Sequence, residues 1–183
     1  MKFCNVCQSK KIEVFLKDNK LIYWSCNNCE AKFLDKKKYI FFNEEKKHYL
    51  KHNNVINETH YRNFLSILIR PLKNLISKND IGLDYGCGYA PALVDILKKD
   101  GFNVDYYDPF FFPQKDIFLK KYKFIISTEV VEHFFKPYEE FSIIDNLLDV
   151  NSWFAVMTSF MPKDYLFSNW HYRRDPTHVV FYN

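Results

Sequence analysis

Two cysteine pairs, Cys4-x2-Cys7 and Cys26-x2-Cys29, stand eighteen residues apart at the front of the chain, and this spacing constrains the fold most. Four thiolates so arranged supply one tetrahedral structural zinc, each pair in a knuckle at one end of the intervening segment. That segment alternates loosely (IEVFLKDNKLIYW, residues 12–24) around Asp18-Asn19, which predicts a hairpin and hence a zinc ribbon over residues 1–35. Two disulfides are the competing use of four cysteines. The start MKFCNVC is not a charged-then-apolar leader, so a reducing, cytoplasmic setting is expected.

At 183 residues the chain has room for one ordinary domain beside the metal-stapled one. No apolar run approaches the roughly 20 residues that span a bilayer, so no membrane partner is expected. The formal charge of +4 is unevenly spread: residues 1–79 carry 16 Lys/Arg against 7 Asp/Glu (+9), and residues 80–183 carry 10 against 15 (−5). A basic front half favours a polyanion such as RNA, with Lys36, Lys37, Lys38, Lys46, Lys47 and Lys51 as contacts and Tyr39, Phe41, Phe42 and Tyr49 for stacking. The same lysines also suit a solvated helix face, and the same aromatics suit packing. Residues 36–79 read as a helical linker or lid. Tyr61, Phe64, Leu65, Leu68 and Ile69 share a face, Pro71 is expected to interrupt the helix, and a second short helix is expected over residues 72–77.

From residue 80 the pattern changes. A strand, IGLDY, runs into Gly86-Cys87-Gly88 and then a helical pattern; a second strand, residues 103–107, ends in Asp108. Glycines at a strand-to-helix turn let the backbone approach a ligand, and an acid at the tip of the second strand binds ribose hydroxyls in nucleoside-binding βαβ units. Asp108 could instead only cap the turn at Pro109. Further strands over residues 123–128 and 153–158 flank a helix over residues 138–148, which predicts a parallel α/β sheet with Gly86, Asp108 and Glu129 at the carboxyl ends of its strands.

Together DYGCG, VDYYD, ISTEVVEHF and the tail WHYRRDPTHVVFY resemble a class I S-adenosylmethionine-dependent methyltransferase, in a bacterial group with a zinc ribbon ahead of the catalytic domain. The resemblance implies a Rossmann-like domain over residues 80–183. It places Asp84, Gly86, Cys87 and Gly88 at the cofactor's methionine end, Asp108 at its ribose and Glu129 beside the sulfonium. Only fourteen residues separate Asp108 from the next strand, so the sheet is expected to be abbreviated, with Asp116 the nearest acid for adenine and the closing C-terminal strands absent. A second copy or partner covering that sheet edge, or a non-catalytic zinc-ribbon adaptor with a degenerate methyltransferase fold, is the alternative this shortness raises.

Glu129, Glu132 and His133 form E-x-x-E-H, and His171, Asp175 and His178 follow the fourth strand. Helical spacing would put the first three on one face. Glu129, Glu132, His133 and His178 are therefore the expected catalytic set, holding a second divalent cation or leaving His133 as a metal-free base, while hydrogen bonding to the helix start is the plain structural use. Arg173 and Arg174 are expected either to clamp an anion or to pair with Asp175 and Glu139. Cys87 reads as packing. Phe110, Phe111 and Phe112 close over the cofactor or belong to the core. The acceptor is unassigned.

Overall fold

The computed structural model describes residues 2–50 and 56–183; Lys51 lies outside them. The chain forms two compact units: residues Met1–Glu45, Val131–Ser142 and Thr158–Asn183 make one, and Lys46–Val130 with Ile143–Met157 make the other. This division does not follow sequence order. Residues 131–142 and 158–183, assigned from the sequence to the Rossmann-like part, belong to the unit that contains the cysteine pairs.

In the ribbon unit, β1 (Ile12–Asp18) pairs antiparallel with β2 (Leu21–Cys26), and Asn19 turns the hairpin at φ +52°. Asn is among the few non-glycine residues that accept this conformation readily. β3 (Lys32–Leu34) adds to β2. The fourth strand, β8 (Val180–Phe181), arrives from the far end of the chain and pairs with β3. Phe167 seals this sheet, its ring 5.2 Å from Phe15, 5.3 Å from Tyr23 and 5.2 Å from Phe181. Arg173 fixes the hairpin tip: its Nη2 donates to Asp18 Oδ2 at 2.7 Å, and its guanidinium lies over the Tyr23 ring. Arg173 is thus a scaffold residue whose partner is Asp18, rather than the Asp175 or Glu139 expected from the sequence.

The second unit is built on four parallel strands in the order β5–β4–β6–β7. These are β4 (Ile81–Tyr85), β5 (Asn103–Tyr107), β6 (Tyr122–Thr128) and β7 (Leu148–Met157). Val104, Phe124 and Ile126 of the sheet pack with Leu65, Ile69 and Leu72 of α2 (Thr59–Lys73) and with Leu93, Val94 and Leu97 of α3 (Ala92–Lys99). The spacing 65, 69, 72 is one helical stripe, as the sequence pattern requires. Pro71 does not interrupt α2, which runs on to Lys73. The hydrogen bond it forgoes would have gone to the carbonyl of Ile67, a mostly exposed residue, and only Leu72 and Lys73 of the helix remain beyond it. Two further helices, α1 (Phe42–Tyr49) and α4 (Pro137–Leu147), each run across a boundary between the units. Pro137 stands at the first position of α4, where its missing N–H costs nothing. Among the described residues, no helix is long and apolar enough to cross a membrane.

Candidate functional site

The four ribbon cysteines converge. Cys4 and Cys29 Sγ are 3.7 Å apart, Cys7 and Cys26 Sγ are 3.6 Å apart, and all four sulfurs lie within 4.8 Å of one another. A tetrahedron of Zn–S bonds of about 2.3 Å has sulfurs about 3.8 Å apart, so the donors stand where that geometry wants them. The two knuckles are built alike. Gln8 and Glu30 each follow the second cysteine of a pair in the left-handed region (φ +59° and +61°), and their amides donate to the carbonyls of Cys4 and Cys26. Backbone amides of Val6 and Cys7 point at Cys4 Sγ, and that of Asn28 at Cys26 Sγ, donors that favour thiolate over thiol. Burial pushes the Cys4 thiol up to about 11, against those amides. A bound cation is what would tip it to thiolate at neutral pH.

In the parallel-sheet unit, β4 ends at Tyr85 and the chain turns through Gly86 (φ +92°) and Gly88 (φ +65°). The amides of Gly86 and Cys87 both donate to the Tyr107 carbonyl, which ties this turn to the end of β5. A Cβ on Gly86 would lie 2.5 Å from Val130 Cγ1, whereas one on Gly88 would meet nothing within 4 Å. Gly86 is therefore needed for packing, and the space beside Gly88 is open. Cys87 is buried, its thiol pushed up by burial, in keeping with a packing role.

Two carboxylates flank the turn. Asp108 takes the Gly88 amide on Oδ2 at 3.0 Å, and on Oδ1 the amides of Phe110 (2.8 Å) and Phe111 (3.1 Å). It does cap the turn after Pro109. A carboxylate has about four acceptor positions, so Oδ2 keeps capacity for a hydroxyl. Asp84 is 4% exposed, and burial followed by the charge of Asp108 pushes it up to about 7 from 3.8. A second buried acid whose charge acts on Asp84 favours a cationic ligand.

Tyr61 of α2 is a residue that the sequence placed only in the core. Burial, then the charges of Asp84 and other neighbours including Glu129, raises its phenol to about 12. Its place at the first residue of the apolar stripe gave no hint of this. Phe110, Phe111 and Phe112 pack on Tyr49, Tyr89 and Tyr106, at 5.5, 5.7 and 5.0 Å between ring centres, as an aromatic wall on the loop after β5. Asp116 is exposed on the turn that follows.

The expected helical face of Glu129, Glu132 and His133 is not formed. Glu129 sits at φ +53° directly after β6, with its amide on the Met157 carbonyl at 2.7 Å, and only a single 3-10 turn, Val131–His133, follows. A left-handed residue ends any helix there. Glu129 remains in the sheet unit with Asp84 and Asp108, while Glu132, His133 and His178 converge in the ribbon unit with ligand-type atoms within 4.8 Å of one another. His171 is exposed, and Asp175 accepts the Thr177 amide at 2.8 Å as a turn cap, so neither joins that trio. Thr158 and Tyr172, which the sequence did not single out, both donate hydroxyls to the Glu132 carboxylate.

A parallel α/β unit with glycines and an acid at the ends of its first two strands is the frame of a nucleoside-cofactor-binding domain. Residues 49–183 match the family described as "Methyltransferase domain", and the chain belongs to that family. Among solved structures it is similar to a crystal structure of coclaurine N-methyltransferase bound to N-methylheliamine and SAH, at 14% identity and a TM-score of 0.42. That match covers 78% of this chain, which spans 54% of the length of that protein. A search of curated proteins found no match.

Proposed function

We infer that the chain is an S-adenosylmethionine-dependent methyltransferase carrying a structural zinc in its ribbon. Membership of the methyltransferase-domain family supports the activity. The observation that carries the cofactor assignment is the paired buried acids, Asp84 and Asp108, beside open space at Gly88. The residues fit the cofactor: Asp84, Gly86, Cys87, Gly88 and Glu129 would hold its cationic methionine end, and Asp108 would take ribose hydroxyls. When bound, the cofactor supplies an already activated methyl group, so the chain's residues need only align the acceptor and take its proton.

Calorimetric titration with S-adenosylhomocysteine tests this. Asp108→Ala removes a charged acceptor, which costs about 1.5 to 3 kcal/mol, roughly 10- to 150-fold in affinity. The pH dependence has a defined sign. Because the folded chain holds the Asp84 proton above the usual 3.8, ionising it costs stability as pH rises toward about 7. A ligand that turns its ammonium toward Asp84 prefers the ionised form, so affinity should rise about tenfold from pH 6 to pH 8, and Asp84→Asn should flatten the curve. An Asp108→Ala chain with undiminished affinity would show that another acid reads the ribose.

For the acceptor we favour RNA. Lys36, Lys37 and Lys38 are exposed on one short turn, and Phe41 and Phe42 are 78% and 59% exposed, whereas Tyr39 packs on Phe135 and Tyr49 on Phe110. The stacking reading thus narrows to Phe41 and Phe42. Affinity for single-stranded RNA should fall by about 0.7 log units per log unit of salt for each phosphate contact. Failure to bind RNA at low salt would instead point to a small molecule.

A further inference from the structure

Three side chains in the ribbon unit, Glu132, His133 and His178, bring one donor atom each to within 4.8 Å of the others. Their supports come from separate parts of the chain. His133 Nδ1 lies 3.2 Å from the Thr177 carbonyl and His178 Nδ1 lies 2.7 Å from the Tyr172 carbonyl. A carbonyl can only accept, so each Nδ1 carries the proton and each neutral ring keeps its lone pair on Nε2. His133 Nε2 stands 3.9 Å from Glu132 Oε1. Glu132 is wholly buried, and its carboxylate is oriented by the Thr158 hydroxyl at 2.9 Å and by the Tyr172 hydroxyl. Imidazoles anchored through Nδ1 on carbonyls, beside a carboxylate anchored by hydroxyls, are what surrounds a metal ion in proteins.

The geometry points to a second metal site, distinct from the cysteine cluster, in which Glu132 and the Nε2 atoms of His133 and His178 bind one divalent first-row transition ion. Bonds of about 2.0 to 2.2 Å hold ligand atoms no more than about 4.4 Å apart, so the trio would close by a few tenths of an ångström. Two imidazoles and a carboxylate select this class over Mg²⁺ or Ca²⁺, which prefer all-oxygen shells. Three protein ligands leave positions for water or a substrate oxygen. The ion would also offset the charge of a carboxylate held out of water. Glu129, expected from the sequence to share such a site, is not among the ligands. The proposal stands apart from methyl transfer, because binding is measured without cofactor or acceptor.

Co²⁺ added to the full chain with its ribbon zinc-loaded is the test, zinc content being checked afterwards. One equivalent should bind with weak visible bands and no thiolate charge-transfer band. In the wild-type protein the imidazole signals of His133 and His178 should be the first of the six histidines to shift or broaden in NMR spectra. His133→Asn and His178→Gln should each weaken binding at least about tenfold. No uptake beyond the zinc, uptake that leaves both imidazole signals unmoved, or binding retained by both folded variants would overturn the assignment.

Discussion

Cys26→Ser should lose its zinc and, with it, the fold of the ribbon unit. Three thiolates cannot close the tetrahedron, and binding energies of about 10 to 16 kcal/mol for structural zinc are as large as the whole stability of an ordinary domain, about 5 to 15 kcal/mol. The effect should reach well beyond the knuckles. β2 ends at Cys26 and pairs with β3, β3 pairs with β8, and the Phe167 ring packs on this sheet, so the segment Thr158–Asn183 loses its support as well. Elemental analysis of wild-type protein should find one zinc per chain before any second ion is added. Near-UV dichroism should collapse in Cys26→Ser or on strong chelation. A Cys26→Ser chain that keeps both metal and dichroism would dispose of the ribbon reading.

Gly86→Ala should damage the sheet unit, and Gly88→Ala should be mild. At Gly86 the new Cβ would meet Val130 Cγ1 at 2.5 Å and Cγ2 at 2.6 Å, and the residue would be held at φ +92°. Overpacking of this kind costs about 1 to 3 kcal/mol, and an L-residue at positive φ adds about 1 to 2. At Gly88 only the second cost applies, since its Cβ would enter open space. Denaturant melts should therefore separate the two by more than about 1 kcal/mol. The cofactor reading adds a crossed outcome: the Gly88 methyl projects into space reserved for ligand, so Gly88→Ala should weaken S-adenosylhomocysteine binding more than its small stability loss suggests. Equal stability losses at the two positions would mean that the turn is not packed as described.

The parts of the fold written in local pattern were legible. Alternation around Asp18-Asn19 marked β1 and β2, and apolar runs ending in Asp84-Tyr85 and Asp108 marked β4 and β5 to within a residue. What the pattern could not show was long-range partnership. β8 is only two residues long, and no periodicity says that Val180 and Phe181 pair with Phe33 and Lys32. Arg173 beside Asp175 looked like a local ion pair, but its partner is Asp18, 155 residues away. The E-x-x-E-H spacing misled because it assumed a helix. Nothing in residue type announces that a glutamate will sit at φ +53°, and that one torsion separates Glu129 from the Glu132–His133 pair.

A crystal structure of the full chain with S-adenosylhomocysteine tests the central claim most directly. The account predicts the ligand beside Gly88, its ribose hydroxyls on Asp108 Oδ2 and its ammonium end toward Asp84. A chain that stays empty at saturating ligand, or that binds it away from the Gly86–Gly88 turn, would contradict it.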